Sequence, residues 1–123
     1  MVTDMFDFNL LKRQPNFGIK NFKDSYYIGE LDLEKNVRSG MGVCVYENSR
    51  LYEGFWRNDK RQGKGFERFS NGNQYLGEYN DGKVSGKGLY TWVSNDTYDG
   101  EWLNGLKHGY GVWKGHTGDS YIG

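Results

Sequence analysis

Side chains along this chain alternate with a period of two, in short runs broken by turn residues. In Tyr98-Asp-Gly-Glu-Trp102 the rings and the glycine take every second place, and acids lie between them. Such alternation marks a strand whose two faces meet different surroundings. Asn104-Gly105 follows, then a second run with Gly109, Gly111 and Trp113 on one parity and Tyr110 and Val112 on the other. Pairs such as Asn58-Asp59, Asp81-Gly82 and Asn104-Gly105 tolerate the positive φ of tight hairpin turns. Each such unit predicts one β-hairpin.

The unit returns. Tyr52, Gly54, Trp56, Gly63 and Gly65 are matched by Tyr75, Gly77, Tyr79, Gly86 and Gly88, then by Tyr98, Gly100, Trp102, Gly109 and Gly111. The spacing is 23 residues, and Tyr121 and Gly123 open a further copy. A fixed period in this range signals a repeat array that presents an extended surface. A more divergent copy starts at Tyr27, with Leu31 in the aromatic slot and Gly40 and Gly42 at its close. Its two additional residues preserve the face parity of everything downstream and are expected in the loop around Asp32–Arg38. The predicted organisation is an N-terminal extension over 1–26 and an array over 27–51, 52–74, 75–97 and 98–120, with a new copy opening at 121. The fold expected is all-β: an elongated, twisted, single-layer antiparallel meander of about eight strands. An array that stops inside a copy leaves an unpaired edge, so a longer array or a partner chain is expected to close that end.

Parity assigns the faces. Tyr52, Gly54 and Trp56 share one, and pairing Trp56 opposite Gly63 would set Gly54 opposite Gly65, giving each ring a bare backbone to lie across. The other face carries an apolar row of Val43, Phe66, Leu89 and Val112, flanked by Lys64, Lys87 and Tyr110. Residues 1–26 lack the repeat. Asp4–Gln14 reads as a short helix, capped by Thr3 or Asp4 and ended by Pro15, that covers the edge of the first hairpin.

Composition agrees. Nineteen glycines with 17% aromatic residues suit strands rather than helices. Sixteen basic and sixteen acidic residues leave no basic excess for nucleic acid. The single Cys44 excludes an internal disulfide framework and fits a reducing compartment. The N-terminus lacks the features of a signal peptide. No catalytic set, metal set or cofactor motif emerges: the Gly-x-Gly elements recur without a following helix or P-loop Lys.

Tyr98-Asp-Gly-Glu-Trp-Leu-Asn-Gly-Leu-Lys-His-Gly-Tyr-Gly111 resembles the MORN repeat, the membrane occupation and recognition nexus motif. Tyr75–Gly88 departs from it by Tyr79 in the Trp slot, and Tyr52–Gly65 by Asp59 in the turn. The resemblance spans residues 27–123. It implies consecutive hairpins in a non-enzymatic module. It also implies roles as a scaffold in cilia, cytoskeleton and membrane junctions, or beside a kinase or methyltransferase domain, and in binding of membrane lipid.

Two sets of candidate residues follow. Rings that anchor a protein partner are Tyr52, Trp56, Tyr75, Tyr79, Trp92, Tyr98, Trp102 and Trp113, because aromatics dominate interface energetics; the competing assignment makes them the core. Cations for anionic lipid head groups are Lys12, Arg13, Lys20 and Lys23 in the basic-aromatic N-terminus, with Lys60, Arg61, Lys83 and Lys107 near the hairpin tips. Interleaved acids weaken that second set. The expected function is a cytoplasmic scaffolding module, associated with cytoskeleton or cilium. Phosphoinositide binding at a membrane periphery, and regulation of an attached enzyme, are the alternatives. Self-association also fits an array with an open edge, and neither nucleic acid nor a small-molecule substrate is expected.

Overall fold

The computed structural model describes residues 7–123. Thr3, Asp4 and Phe6, read as the start of a helix, lie outside the described residues. Within them the helix is one turn, α1 (Phe8–Leu11), and Asp7 caps it by accepting from the Asn9 and Leu10 amides at 3.0 and 3.3 Å. The strands are β1 (Phe17–Asn21), β2 (Ser25–Asp32), β3 (Val37–Tyr46), β4 (Leu51–Arg57), β5 (Lys60–Arg68), β6 (Gln74–Asn80), β7 (Lys83–Thr91), β8 (Thr97–Leu103), β9 (Leu106–Lys114) and β10 (Ser120–Ile122). They form one open antiparallel sheet in chain order.

Ten strands replace the expected eight. The short β10 opens the last copy, and β1 comes from the segment read as an extension. Phe17–Asn21 pairs along the edge of β2, with Gly18 opposite Gly29. Turns are as anticipated: Asn58, Asp59, Asp81, Gly82, Asn104 and Gly105 all hold positive φ. The loop of the first hairpin, residues 33–36, spans four residues where the later hairpins turn in two.

A row of glycines crosses the whole sheet. Gly18, Gly29, Gly42, Gly54, Gly65, Gly77, Gly88, Gly100 and Gly111 are successive cross-strand partners. Gly111 and Gly123 then exchange amide bonds of 2.8 and 3.0 Å. The expected Gly54–Gly65 pairing is part of this row. The expected Trp56–Gly63 pairing is not: Trp56 opposes Arg61, because each hairpin shifts register just past its glycine pair. Gly63 takes φ +83° there, and Gly40, Gly86 and Gly109 likewise hold positive φ in their copies. A glycine in the left-handed region is what this class of β-bulge demands. Trp56 instead faces Gly40 of the preceding copy, and Gly63 faces Tyr79 of the next.

The ring that lies on the glycine row is therefore the tyrosine. Tyr52 folds over Gly54 and Gly65 and donates to the Phe55 carbonyl at 2.9 Å. Tyr27 and Tyr75 donate likewise to the carbonyls of Glu30 and Glu78, at 2.7 and 3.0 Å. On the same strands as the tyrosines, Glu30, Glu78 and Glu101 accept from the neighbouring strand the amides of Met41, Lys87 and Tyr110, the middle residues of Gly-x-Gly. This fixes the bulge from its other side. The opposite face holds Val43, Phe66, Leu89 and Val112 in one cross-strand row, but Glu53 and Asp99 stand within it. Phe66 and Glu53 are buried there, while Leu76 and Leu89 are exposed.

A Cβ at Gly65 would stand 2.5 Å from Tyr52 Oη and 2.6 Å from its ring. Gly65→Ala is expected to cost about 1–3 kcal/mol by overpacking, measured by urea denaturation. Because the collision is with one ring, Gly65→Ala combined with Tyr52→Leu should cost less than the sum of the two single changes.

Candidate partner-docking surface

Rings from successive copies interlock on the tyrosine face. The order Tyr27, Trp56, Tyr52, Tyr79, Tyr75, Trp102, Tyr98 is a continuous edge-to-face series with centroids 5.0–5.7 Å apart. Each such pair adds about 0.5–1.5 kcal/mol beyond the area it buries. Indole Nε1 of Trp56 donates to the Gly42 carbonyl at 3.3 Å, and that of Trp102 to Gly88 at 3.1 Å. Each of these two rings thereby ties its own copy to the one before.

This placement divides the eight aromatic candidates. Tyr52, Trp56, Tyr75, Tyr79, Tyr98 and Trp102 are buried, no more than 9% exposed, and constitute the core. A partner cannot use them as free anchors, because their surfaces are already spent on each other. Trp92 and Trp113 are partly buried at the margin of the cluster, and so are Tyr46, Phe69, Val84 and Tyr90, which sequence reasoning did not single out. Tyr121 stacks beside Trp113 at 5.2 Å.

The basic candidates are dispersed. Lys12 and Arg13 lie exposed after α1, with the Lys12 ammonium 5.9 Å from the Phe8 ring. Lys20 donates to the Asn36 carbonyl, and Lys23 is exposed. Lys60 and Lys83 are exposed at the tips of adjacent hairpins, and Lys60 stands 3.5 Å from Asp81. Lys107 rests over Tyr98 and Trp92 at 4.8 and 5.3 Å. Arg61 is not a tip residue at all. Its side chain is 15% exposed and lies on the aromatic face.

There Arg61 meets Glu67, which is 2% exposed and shares the row of Tyr52 and Tyr75. Arg61 Nη1 reaches Glu67 Oε1 at 3.2 Å, and Tyr79 Oη donates to the same oxygen at 2.8 Å. Arg50 Nε and Nη2 both bind Oε2 at 2.7 Å. Arg61 Nη2 also donates to Tyr46 Oη at 2.9 Å. Burial and the neighbouring carboxylate push the Tyr79 hydroxyl far above its ordinary range. Burial pushes Tyr75 up to about 12, with the Glu78 carbonyl bond and charge as smaller, opposing influences. The signal for this cluster was present in the sequence. Glu67 occupies the slot of Cys44, Tyr90 and Trp113, and a carboxylate in an aromatic row requires cationic partners.

Comparison between copies explains the open space beside it. Arg38, Arg61, Val84 and Lys107 oppose the aromatic-slot residue of their hairpins. The three cations lie across rings, Arg38 over Trp56 at 4.3 Å and Arg61 over Tyr52 at 5.1 Å. Only the third copy has a short apolar residue in this slot. At Val84 the face opens into a groove of about 210 Å³, walled by Phe69, Tyr90 and Trp102 with Arg50, Arg61 and Glu67 at one end.

Fold and face together define a β-hairpin repeat module that presents one extended side-chain surface. The MORN repeat model matches residues 32–49, 52–74, 75–97 and 98–120, and the chain belongs to the MORN repeat family. MORN repeats are non-catalytic interaction or lipid-binding modules, often membrane-associated. No helix among the described residues is long and apolar enough to cross a membrane. Comparison with curated proteins finds no significant match.

Glu67→Gln leaves Arg61 buried without its counter-charge and is expected to cost about 3–5 kcal/mol in denaturant unfolding. Replacing the whole cluster by the residues of the next copy (Arg50→Asn, Arg61→Val and Glu67→Tyr together) should leave stability within about 1 kcal/mol of the parent, or raise it.

Alkaline unfolding offers a separate check. The folded Tyr75 pKa of about 12 lies above its ordinary 10.0. A raised folded pKa contributes stability that is complete below the unfolded value and is lost as pH rises through the folded one. Stability should therefore hold up to about pH 10 and fall from there toward pH 12. In a titration followed at tyrosinate absorbance, the buried tyrosines should ionise together with unfolding.

Proposed function

We propose that this chain is a scaffolding module that docks a segment of a protein partner on its aromatic face. The assembly it serves is of the cytoskeletal, ciliary or membrane-junction type. The observation that carries this reading is the groove at Val84. It is the place on the ring-packed face where the cation slot is vacated and partly open aromatics, Phe69 and Tyr90, border free space. Aromatic walls around an apolar side chain are what interface hot spots use, and a groove on a sheet face receives a helix or an extended segment. The anionic-lipid reading has less support. Lys20, Arg61 and Lys107 are engaged within the chain, Lys60 has Asp81 beside it, and overall charge is balanced.

A photo-crosslinking amino acid at Phe69 or, as a control on the other face, at Leu76 tests the assignment in extract of the native source. Protein adducts are expected from Phe69 and not from Leu76, and Val84→Trp, which fills the groove, should suppress them. Adducts independent of Val84→Trp, or sedimentation with anionic vesicles in place of any protein adduct, would reject the reading.

A further inference from the structure

We infer that the segment received by the groove is acidic as well as apolar, carrying a carboxylate for Arg50 and an apolar side chain for the floor at Val84; this rests on the docking reading above. Three features of the site lead there. First, two guanidinium groups share one carboxylate. Arg50 and Arg61 both bind Glu67, so the cluster holds one uncompensated positive charge. Glu67 is saturated by Arg50, Arg61 and Tyr79 and has nothing further to offer.

Second, the excess charge borders the groove, and Arg50 also lines a neighbouring pocket with Asp24, Tyr46, Glu47 and Asn48. Arg50 is 35% exposed, and among the described residues no acceptor lies against its Nη1. Its guanidinium stands over the Tyr46 ring at 5.1 Å, which orients its plane. Arg50 is also out of pattern. Asn73 and Asp96, its counterparts in the next two copies, accept the amides of Val93 and His116 and so fasten the following turn. Arginine has no acceptor, and at this position the side chain turns to the face instead.

Third, covering the groove removes water from Arg50. A neutral or basic occupant would strip hydration from a cation and return nothing, which is costly. A carboxylate of the occupant can take the open edge of the guanidinium in a charge-assisted bond. An apolar neighbour on the same segment then meets Val84, Phe69 and Tyr90. The recognised element is thus an acidic residue close to a large aliphatic or aromatic one.

The test pans a random dodecapeptide display library on the full chain and measures the selected peptides by fluorescence polarisation. Enriched peptides are expected to pair Asp or Glu with a large apolar residue. Changing that acid to its amide should weaken binding to the parent chain about tenfold or more. On Arg50→Gln, checked for folding by circular dichroism, the same peptide change should matter little. The peptide-side substitution needs no variant protein, so it decides the matter even if Arg50→Gln does not fold. Enriched peptides that lack an acid, or lose nothing on its removal, would overturn this inference and leave docking intact, provided Val84→Trp abolishes their binding. Peptides indifferent to Val84→Trp would overturn docking at the groove and this inference with it. Displacement of the peptides by phosphoinositide vesicles, but not by phosphatidylcholine vesicles, would assign the charge to a phosphate head group and overturn the peptide assignment.

Discussion

A tyrosine ring laid on bare glycine backbone is the contact on which the rest of this molecule depends. A single sheet has no second layer to bury its side chains against, so burial must be found within the layer itself. Glycines aligned across every strand make a trough in the sheet. Tyrosine fills it, reaches a carbonyl three residues on, and leaves its edge for the next ring. Because neighbouring rings meet edge to face, each copy completes the packing of the one before it. Stability is then shared along the array, as expected for repeats that touch only their neighbours.

The bulge makes this contact compatible with hairpin pairing. The first glycine of each Gly-x-Gly turns the second strand through a left-handed residue, so the aromatic of the first strand lies against the preceding copy rather than its own. A glutamate carboxylate holds the bulge open in three of the copies. One structural residue type per position thus serves the same end in each repeat, and departures from it are where the individual chain becomes specific. The Arg50–Arg61–Glu67 cluster and the apolar Val84 beside it are such departures. They turn a uniform ring-lined face into one with a charged end and a pocket.

Much of this was legible in the chain. Alternation, turn pairs and the 23-residue period specify hairpins and their order, since each is a local signal. The even insertion in the first copy falls in its loop, as expected, and leaves face parity downstream intact. Phe17–Asn21 was not legible as a strand because it carries one glycine and no tyrosine, and only its pairing with β2 reveals it. The aromatic candidates were read as partner anchors, and the structure buries six of the eight in the ring core, because their exposure was not readable. Whether a ring is core or anchor depends on which neighbour covers it. Arg61, next to a turn in sequence, is drawn inward by a carboxylate six residues away that a linear reading treats as an ordinary strand acid.

By itself, then, the sequence determined the repeat unit, its strand and turn chemistry, the family and the face on which the rings lie, because these follow from short-range periodicity. Register across the bulge, the choice of tyrosine as the ring over the glycine row, the burial of Glu67 and the groove at Val84 were decided by the tertiary structure. Each of those depends on contacts between different copies. Such contacts exist only once neighbouring hairpins have paired and their side chains compete for the same space.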